Sequence, residues 1–129
     1  MVIDTSALLA ILQDEPERRR FNELIEAAGT CALSTANFVE TSIVIEVRYG
    51  AEGVRDLDEF IRRGGIELVA VTGDHAERAR RAFIQFGRGR HPARLNFGDC
   101  FAYALAQARE EPLLFKGNDF SQTDVTTAG

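Results

Sequence analysis

The chain opens Met1-Val2-Ile3-Asp4-Thr5-Ser6-Ala7-Leu8-Leu9-Ala10-Ile11-Leu12. Val2 and Ile3 suit a short buried strand, expected over 1–4, and Ala7, Leu8, Leu9, Ile11 and Leu12 give the next segment an apolar helical face, expected over 6–13. Thr5 and Ser6 carry the hydroxyls of helix-capping residues. A carboxylate, Asp4, therefore stands where a strand gives way to a helix. In open α/β sheets the carboxyl ends of the strands face the ligand crevice. Asp4 is thus a candidate for chemistry as well as for a plain helix cap.

Three more segments each bring an acid to the end of a strand or near the start of a helix. Asp99 enters the first turn of the helix in Asn96-Phe97-Gly98-Asp99-Cys100-Phe101, where the positive end of the helix dipole favours it. Asn96 or Gly98 is expected to start that helix, with Phe97, Cys100, Phe101, Ala104, Leu105 and Ala108 as its buried stripe. Glu40 lies one to two turns into a helix surrounded by Phe38, Val39, Ile43 and Val44. Asp119 follows the apolar strand at Leu113–Phe115, in the turn Lys116-Gly117-Asn118-Asp119. Carboxylates gathered with few compensating bases repel one another unless a cation lies between them. Glu46 competes with Glu40 on the same helix, but at about 100° per residue a six-residue offset turns it well away.

The rest of the chain alternates between strands and helices. A helix near 15–28 carries Phe21, Leu24 and Ile25, with Pro16 in its first turn. A strand at 31–34, a helix over 36–48 capped by Ser34 or Thr35, a turn at Gly50 and Gly53, and a helix ending at Arg63 follow. Ile66–Val71 is the third strand, then a helix runs from about 73 to 86, and the fourth strand is 113–115. Alternating β and α elements imply a mainly parallel sheet with helices on both faces, a three-layer α/β/α sandwich with the acids at its carboxyl edge. The 129 residues fit one domain, 1–129, with one core.

Other chemistries find little support. The two histidines, His75 and His91, lie apart in sequence and both are expected to be exposed, so neither a zinc site nor a Ser-His-Asp triad is indicated. Glycines 87 and 89 form no nucleotide-binding loop. Cys31 and Cys100 read as reduced core residues. No apolar run approaches the ~18 residues of a membrane span, and Met1 is followed at once by a strand, so a cytoplasmic protein is expected.

The net charge of −5 argues against a nucleic-acid partner, but the distribution argues for one. Of the 15 basic residues all but Lys116 are arginine, whose planar fork holds phosphate bidentately. Arg18 to Arg20 and Arg62/Arg63 read as exposed helix faces that pair with nearby acids. Gly87-Arg88-Gly89-Arg90-His91-Pro92-Ala93-Arg94 differs, since no acid intervenes before Asp99. It is expected to be a flexible basic loop in which Arg88, Arg90 and Arg94 contact substrate phosphate.

In VIDTSALLAIL (2–12), NFVETS (37–42), LNFGDCFAYALA (95–106) and LLFKGNDFSQTDV (113–125), the chain resembles the PIN-domain nucleases, and within them the VapC-type toxins of toxin–antitoxin pairs. The resemblance covers nearly the whole chain. It implies that Asp4, Glu40, Asp99 and an acid of the final turn hold one or two divalent cations for RNA cleavage. That final turn is shorter than in many relatives, which leaves Asp119, Asn118 or Asp124 as the fourth position, with Asp119 preferred as ionised and nearest the strand end. Carboxylate oxygens suit Mg²⁺ or Mn²⁺. Asp4 and Asp99 are then principal ligands, Glu40 a ligand or water-positioning base, and Asp119 completes the set, while Thr5 or Ser6 orients Asp4. The resemblance further implies an RNA substrate cut to 5′-phosphate and 3′-hydroxyl ends, a cognate VapB-type antitoxin, and a homodimer for which Val39 to Val47 offers a face. The alternatives are a catalytically inactive PIN-like interaction domain and a phosphotransferase of the HAD or receiver type. The latter is weakened by Ser6, where HAD enzymes want a second Asp.

Overall fold

The computed structural model describes residues 1–129. Strand β1 (Val2–Ile3) lies at the centre of a four-stranded sheet of order β3-β2-β1-β4, with β2 at Cys31–Ser34, β3 at Ile66–Val69 and β4 at Leu113–Leu114. Every pairing is parallel: Val2 faces Ala32 on one side and Leu113 on the other, and Cys31 to Ser34 run in register with Ile66 to Val69. Because side chains alternate across a strand, Val2, Ala32 and Leu113 point to one face, while Ile3, Leu33 and Leu114 point to the other. The first face is covered by α4 (Gly73–Phe86) and α5 (Phe97–Arg109), through Ala79, Ala82, Phe86, Tyr103 and Leu105. The second is covered by α1 (Thr5–Leu12) and α2 (Arg18–Ala28), through Leu8, Ile11, Phe21 and Ile25, joined by Phe38, Phe60 and Ile61 of α3 (Thr35–Arg63). This is the expected three-layer sandwich. A sheet buried on both faces explains why its strands read as apolar runs.

The strand order positions the site. From β1 the chain steps outward to β2 and β3, then returns to place β4 on the other side of β1, so the crevice opens at the carboxyl ends of β1 and β4. Asp4 and the 116–119 turn leave the sheet there.

Several boundaries differ from expectation. β3 ends at Val69 because its partner β2 ends at Ser34, whose hydroxyl already caps α3 by accepting from Ala36 N–H. Val71 N–H donates instead to the Thr35 hydroxyl. Pro16 lies in a turn ahead of α2, whose N-cap is Glu17. The expected helices over 36–48 and up to Arg63 abut in α3 across Gly50 alone, at φ 69° and ψ −155°. That left-handed conformation suits glycine. Gly53 is no part of the turn. It is buried within the second helical half, where a Cβ would press within 2.6 Å of Tyr49 Cβ. The C-terminal tail adds a feature that no sequence pattern announces. Thr127 pairs beside Leu113 on the outer edge of β4, and Ala128 is buried.

Candidate active site

Asp4 is the N-cap of α1. Its Oδ2 accepts from Ser6 N–H at 3.0 Å, while Oδ1 is buried with no hydrogen-bond partner. The residue is 2% exposed. Burial, and in smaller measure the charge of Glu40, push its carboxyl up to about 6 although contacts with Ser6 pull the other way. Cap and chemistry thus coexist in one side chain: one oxygen holds the helix, and the other faces inward unsatisfied.

Asn96 begins α5 with a capping box, in which its side chain accepts from Asp99 N–H at 2.9 Å and the Asp99 carboxylate accepts from Asn96 N–H at 3.0 Å. Asp99 is pushed up to about 7, first by desolvation, then by the charge of Asp4, with smaller contributions from Asp119 and Glu40. The four acids singled out in the sequence therefore sense one another. Glu40, half-buried, accepts from the Thr5 hydroxyl at 2.5 Å and from Asn37 Nδ2 at 3.4 Å. Its carboxylate sits against Gly98, where any Cβ would collide with it. Asp119 is exposed in the turn after β4, and that turn is tied to α1 by Lys116 N–H donating to Ser6 Oγ at 2.9 Å.

The three candidates for the fourth position differ in their surroundings. Asp124 accepts from the buried Tyr103 hydroxyl at 2.5 Å, and Asn118 is exposed with its carbonyl accepting from Ser121. Asp119 is the one whose charge is felt by Asp99. Of the two residues expected to orient Asp4, Ser6 does so through its N–H, while the Thr5 hydroxyl donates to Glu40. Asn37 was not singled out by its sequence pattern. It is fully buried and links Thr5, Glu40 and Gly98. Phe97, expected in the buried stripe, is 77% exposed, because it is the first residue of α5 and precedes the turn that meets the sheet.

No lysine, arginine or histidine forms an ion pair with Asp4, Glu40, Asp99 or Asp119. As the side chains stand, no three of these acids close into a metal-sized cluster. The donor chemistry nonetheless fits a hard divalent cation: all oxygen, mutually repelling, with Asp4 Oδ1 buried and unsatisfied.

The basic loop is ordered by its own hydrogen bonds. Arg88 N–H donates to Leu95 O, Leu95 N–H to Phe86 O, and Ala93 N–H to His91 Nδ1, while Ala93 and Leu95 are buried. His91 packs edge-on against Phe86, and both it and His75 are half-buried, contrary to expectation. Arg88, Arg90 and Arg94 are exposed and make no ion pair, whereas Arg18, Arg19, Arg62 and Arg63 pair with acids; Arg20, expected to pair as well, is exposed and lies over the Phe21 ring instead. Cys31 and Cys100 are free and buried. No helix is long and apolar enough to cross a membrane.

A base-free group of carboxylates at the carboxyl edge of a parallel sheet defines the class, a carboxylate-site α/β sandwich. The PIN domain family matches residues 1–125. Ribonuclease VapC30 of Mycobacterium tuberculosis is 52% identical over 127 residues, covering 98% of this chain and 97% of its own length. Among solved structures, the Mycobacterium tuberculosis toxin VapC20, described as cleaving the Sarcin-Ricin loop, superposes with a TM-score of 0.77 at 18% identity, covering 97% of this chain and 95% of its own. VapBC2 from Rickettsia felis, bound to a DNA fragment from its promoter, does so with a TM-score of 0.76 at 15% identity, covering 98% and 94%. The chain belongs to the PIN-domain family and, within it, to the VapC ribonucleases.

Proposed function

We propose that this chain is a Mg²⁺- or Mn²⁺-dependent endoribonuclease acting as the toxin of a VapBC-type pair. The observation that carries the metal site is the Asp4 carboxylate, buried beside other acids with one oxygen unpartnered and no base in reach. Family membership supports the ribonuclease activity. A bound divalent cation supplies Lewis-acid activation of water and charge compensation at the scissile phosphate. Asp4 and Asp99 hold it, Asp119 completes the set from the β4 turn, and Glu40, fixed by Thr5, is a further ligand or the base that orients the water. Arg88, Arg90 and Arg94 supply exposed, unpaired guanidinium groups for the RNA backbone.

On this reading the whole chain, 1–129, is a single PIN domain working in the cytoplasm. A VapB-type antitoxin is its partner, in keeping with the VapBC complex among its structural neighbours. A homodimer is supported by Val39, Ile43 and Val47, an exposed stripe at four-residue spacing on α3. The test is expression in bacteria. The wild type should arrest growth, Asp4→Asn should not, and co-expression of the adjacent gene's product should rescue. A harmless wild type whose RNase activity ignores that product refutes the toxin role. Purified protein that binds RNA without cutting it, with Mg²⁺ or Mn²⁺ present, is instead the inactive interaction domain.

A further inference from the structure

Asn37 is 0% exposed, and the two N–H groups of its amide are shared among acceptors on three elements. Nδ2 lies 3.0 Å from Gly98 O on α5, 3.3 Å from Thr5 Oγ1 on α1, and 3.4 Å from Glu40 Oε1 one turn along α3. Each partner is an acid or its neighbour: Thr5 follows Asp4, Gly98 precedes Asp99, and Glu40 is itself one of the four. The amide cannot turn round, because the Gly98 carbonyl and the Glu40 carboxylate only accept, so the NH₂ end must face them. Its Oδ1 is left buried without a partner, a cost accepted for the sake of those donated bonds.

A second observation concerns the packing of Glu40 against α5. Gly98 is buried and has no left-handed backbone angle, so its conformation is open to any residue. What excludes a side chain there is the Glu40 carboxylate, which occupies the space a Cβ would need. Asn37 and Gly98 together form a seat: one holds Glu40 by hydrogen bond, and the other leaves room for it against the helix that carries Asp99.

We propose that Asn37 is a positioning residue whose amide, with the space left by Gly98, sets the mutual placement of Asp4, Glu40 and Asp99 for one shared cation. The inference rests on the metal-site reading above. Removing a group that orients metal-binding side chains typically lowers metal affinity by about 10- to 100-fold, and that loss is separable from a loss of stability. Thr41 gives the control: it is buried on the same helix, and its hydroxyl donates to the backbone carbonyl of Asn37 at 2.8 Å, so Thr41→Val removes a bond to this residue yet leaves the amide in place.

Mn²⁺ binding to the purified full-length chain without RNA, read by calorimetry, is the experiment, alongside thermal melting of each variant. Asn37→Leu should raise the Mn²⁺ Kd by about tenfold or more, while Thr41→Val should stay near the wild-type Kd even where its melting temperature falls. Asn37→Leu with the wild-type Kd, or Thr41→Val losing affinity to the same degree, overturns the positioning role and leaves the metal site standing. Should Asn37→Leu fail to fold, Gly98→Ala decides: a raised Kd supports the seat and an unchanged one refutes it. A wild type that binds no Mn²⁺ refutes the metal site and this inference with it.

Discussion

At the end of α3, Glu59 accepts hydrogen bonds from Arg62 and Arg63 at 2.6 Å, and these hold its carboxyl below the usual range; at the carboxyl edge of the sheet, Asp4 and Asp99 have no base beside them and lie at about 6 and 7. Carboxyl groups are thus pushed in opposite directions at two places in one small fold. The difference is one of supply. Arginine is plentiful, and on helix faces Arg18, Arg19, Arg62, Arg63 and Arg78 meet acids at three- and four-residue spacing. None of it forms an ion pair with Asp4, Glu40, Asp99 or Asp119.

The contrast breaks most sharply at its centre. Asp99→Asn or Asp4→Asn should abolish RNA cleavage while leaving the melting temperature of the metal-free protein unchanged or slightly raised, since each removes a charge from a repelling group. A gel-based cleavage assay beside a melting curve checks both halves. A variant that cuts at the wild-type rate means the cluster is not the active site.

Next in size is the fourth position. Asp119→Asn should weaken Mn²⁺ binding, whereas Asp124→Asn should leave it intact and cost roughly 1 kcal/mol through the altered hydrogen bond to Tyr103. Calorimetry and urea melts separate the two, and the reverse ranking would transfer the role to Asp124.

The unpaired arginines sharpen the contrast from the other side. Replacing Arg88, Arg90 and Arg94 together by Gln should weaken RNA binding and flatten its salt dependence, by about 0.7 in log–log slope for each single-strand phosphate left without its arginine. The paired Arg18 and Arg19, changed the same way, should leave the slope alone. Equal slopes in the two sets would return the loop to ordinary solvated surface.

The smallest effect is on stability with pH. Asp4 and Asp99 bind protons more tightly folded than unfolded, so their contribution is fully present below about pH 4 and is lost as pH rises through about 6 and 7. Metal-free melting temperatures should therefore fall between pH 5 and 8, less so in Asp99→Asn. Added Mg²⁺ should stabilise more at the upper end, where the ligands are ionised. A wild type and Asp99→Asn with parallel pH profiles would mean Asp99 is not perturbed.

The sequence carried what is local. Val2-Ile3 before Asp4, the Asn96 to Asp99 cap and the alternation of apolar runs with helical stripes specify the strands, the helices and the parallel sandwich from neighbours in the chain. What stayed hidden is long-range. Asn37 meets Thr5 across 32 positions and Gly98 across 61, and Thr5 turns to Glu40 across 35; no periodicity records such pairings. The same holds for the tail beside Leu113 and for the exposure of Phe97, which helical spacing assigns to the core but helix docking leaves outside.

Cleavage of a single-stranded RNA by the purified wild type, titrated with Mg²⁺ or Mn²⁺ from a chelated start and set against Asp4→Asn, tests the central claim most directly. The expected result is no cutting under chelation, cutting that rises and saturates with the cation, and none at any cation concentration in the variant. Cleavage that persists in excess chelator, or that survives the loss of the Asp4 charge, would contradict it.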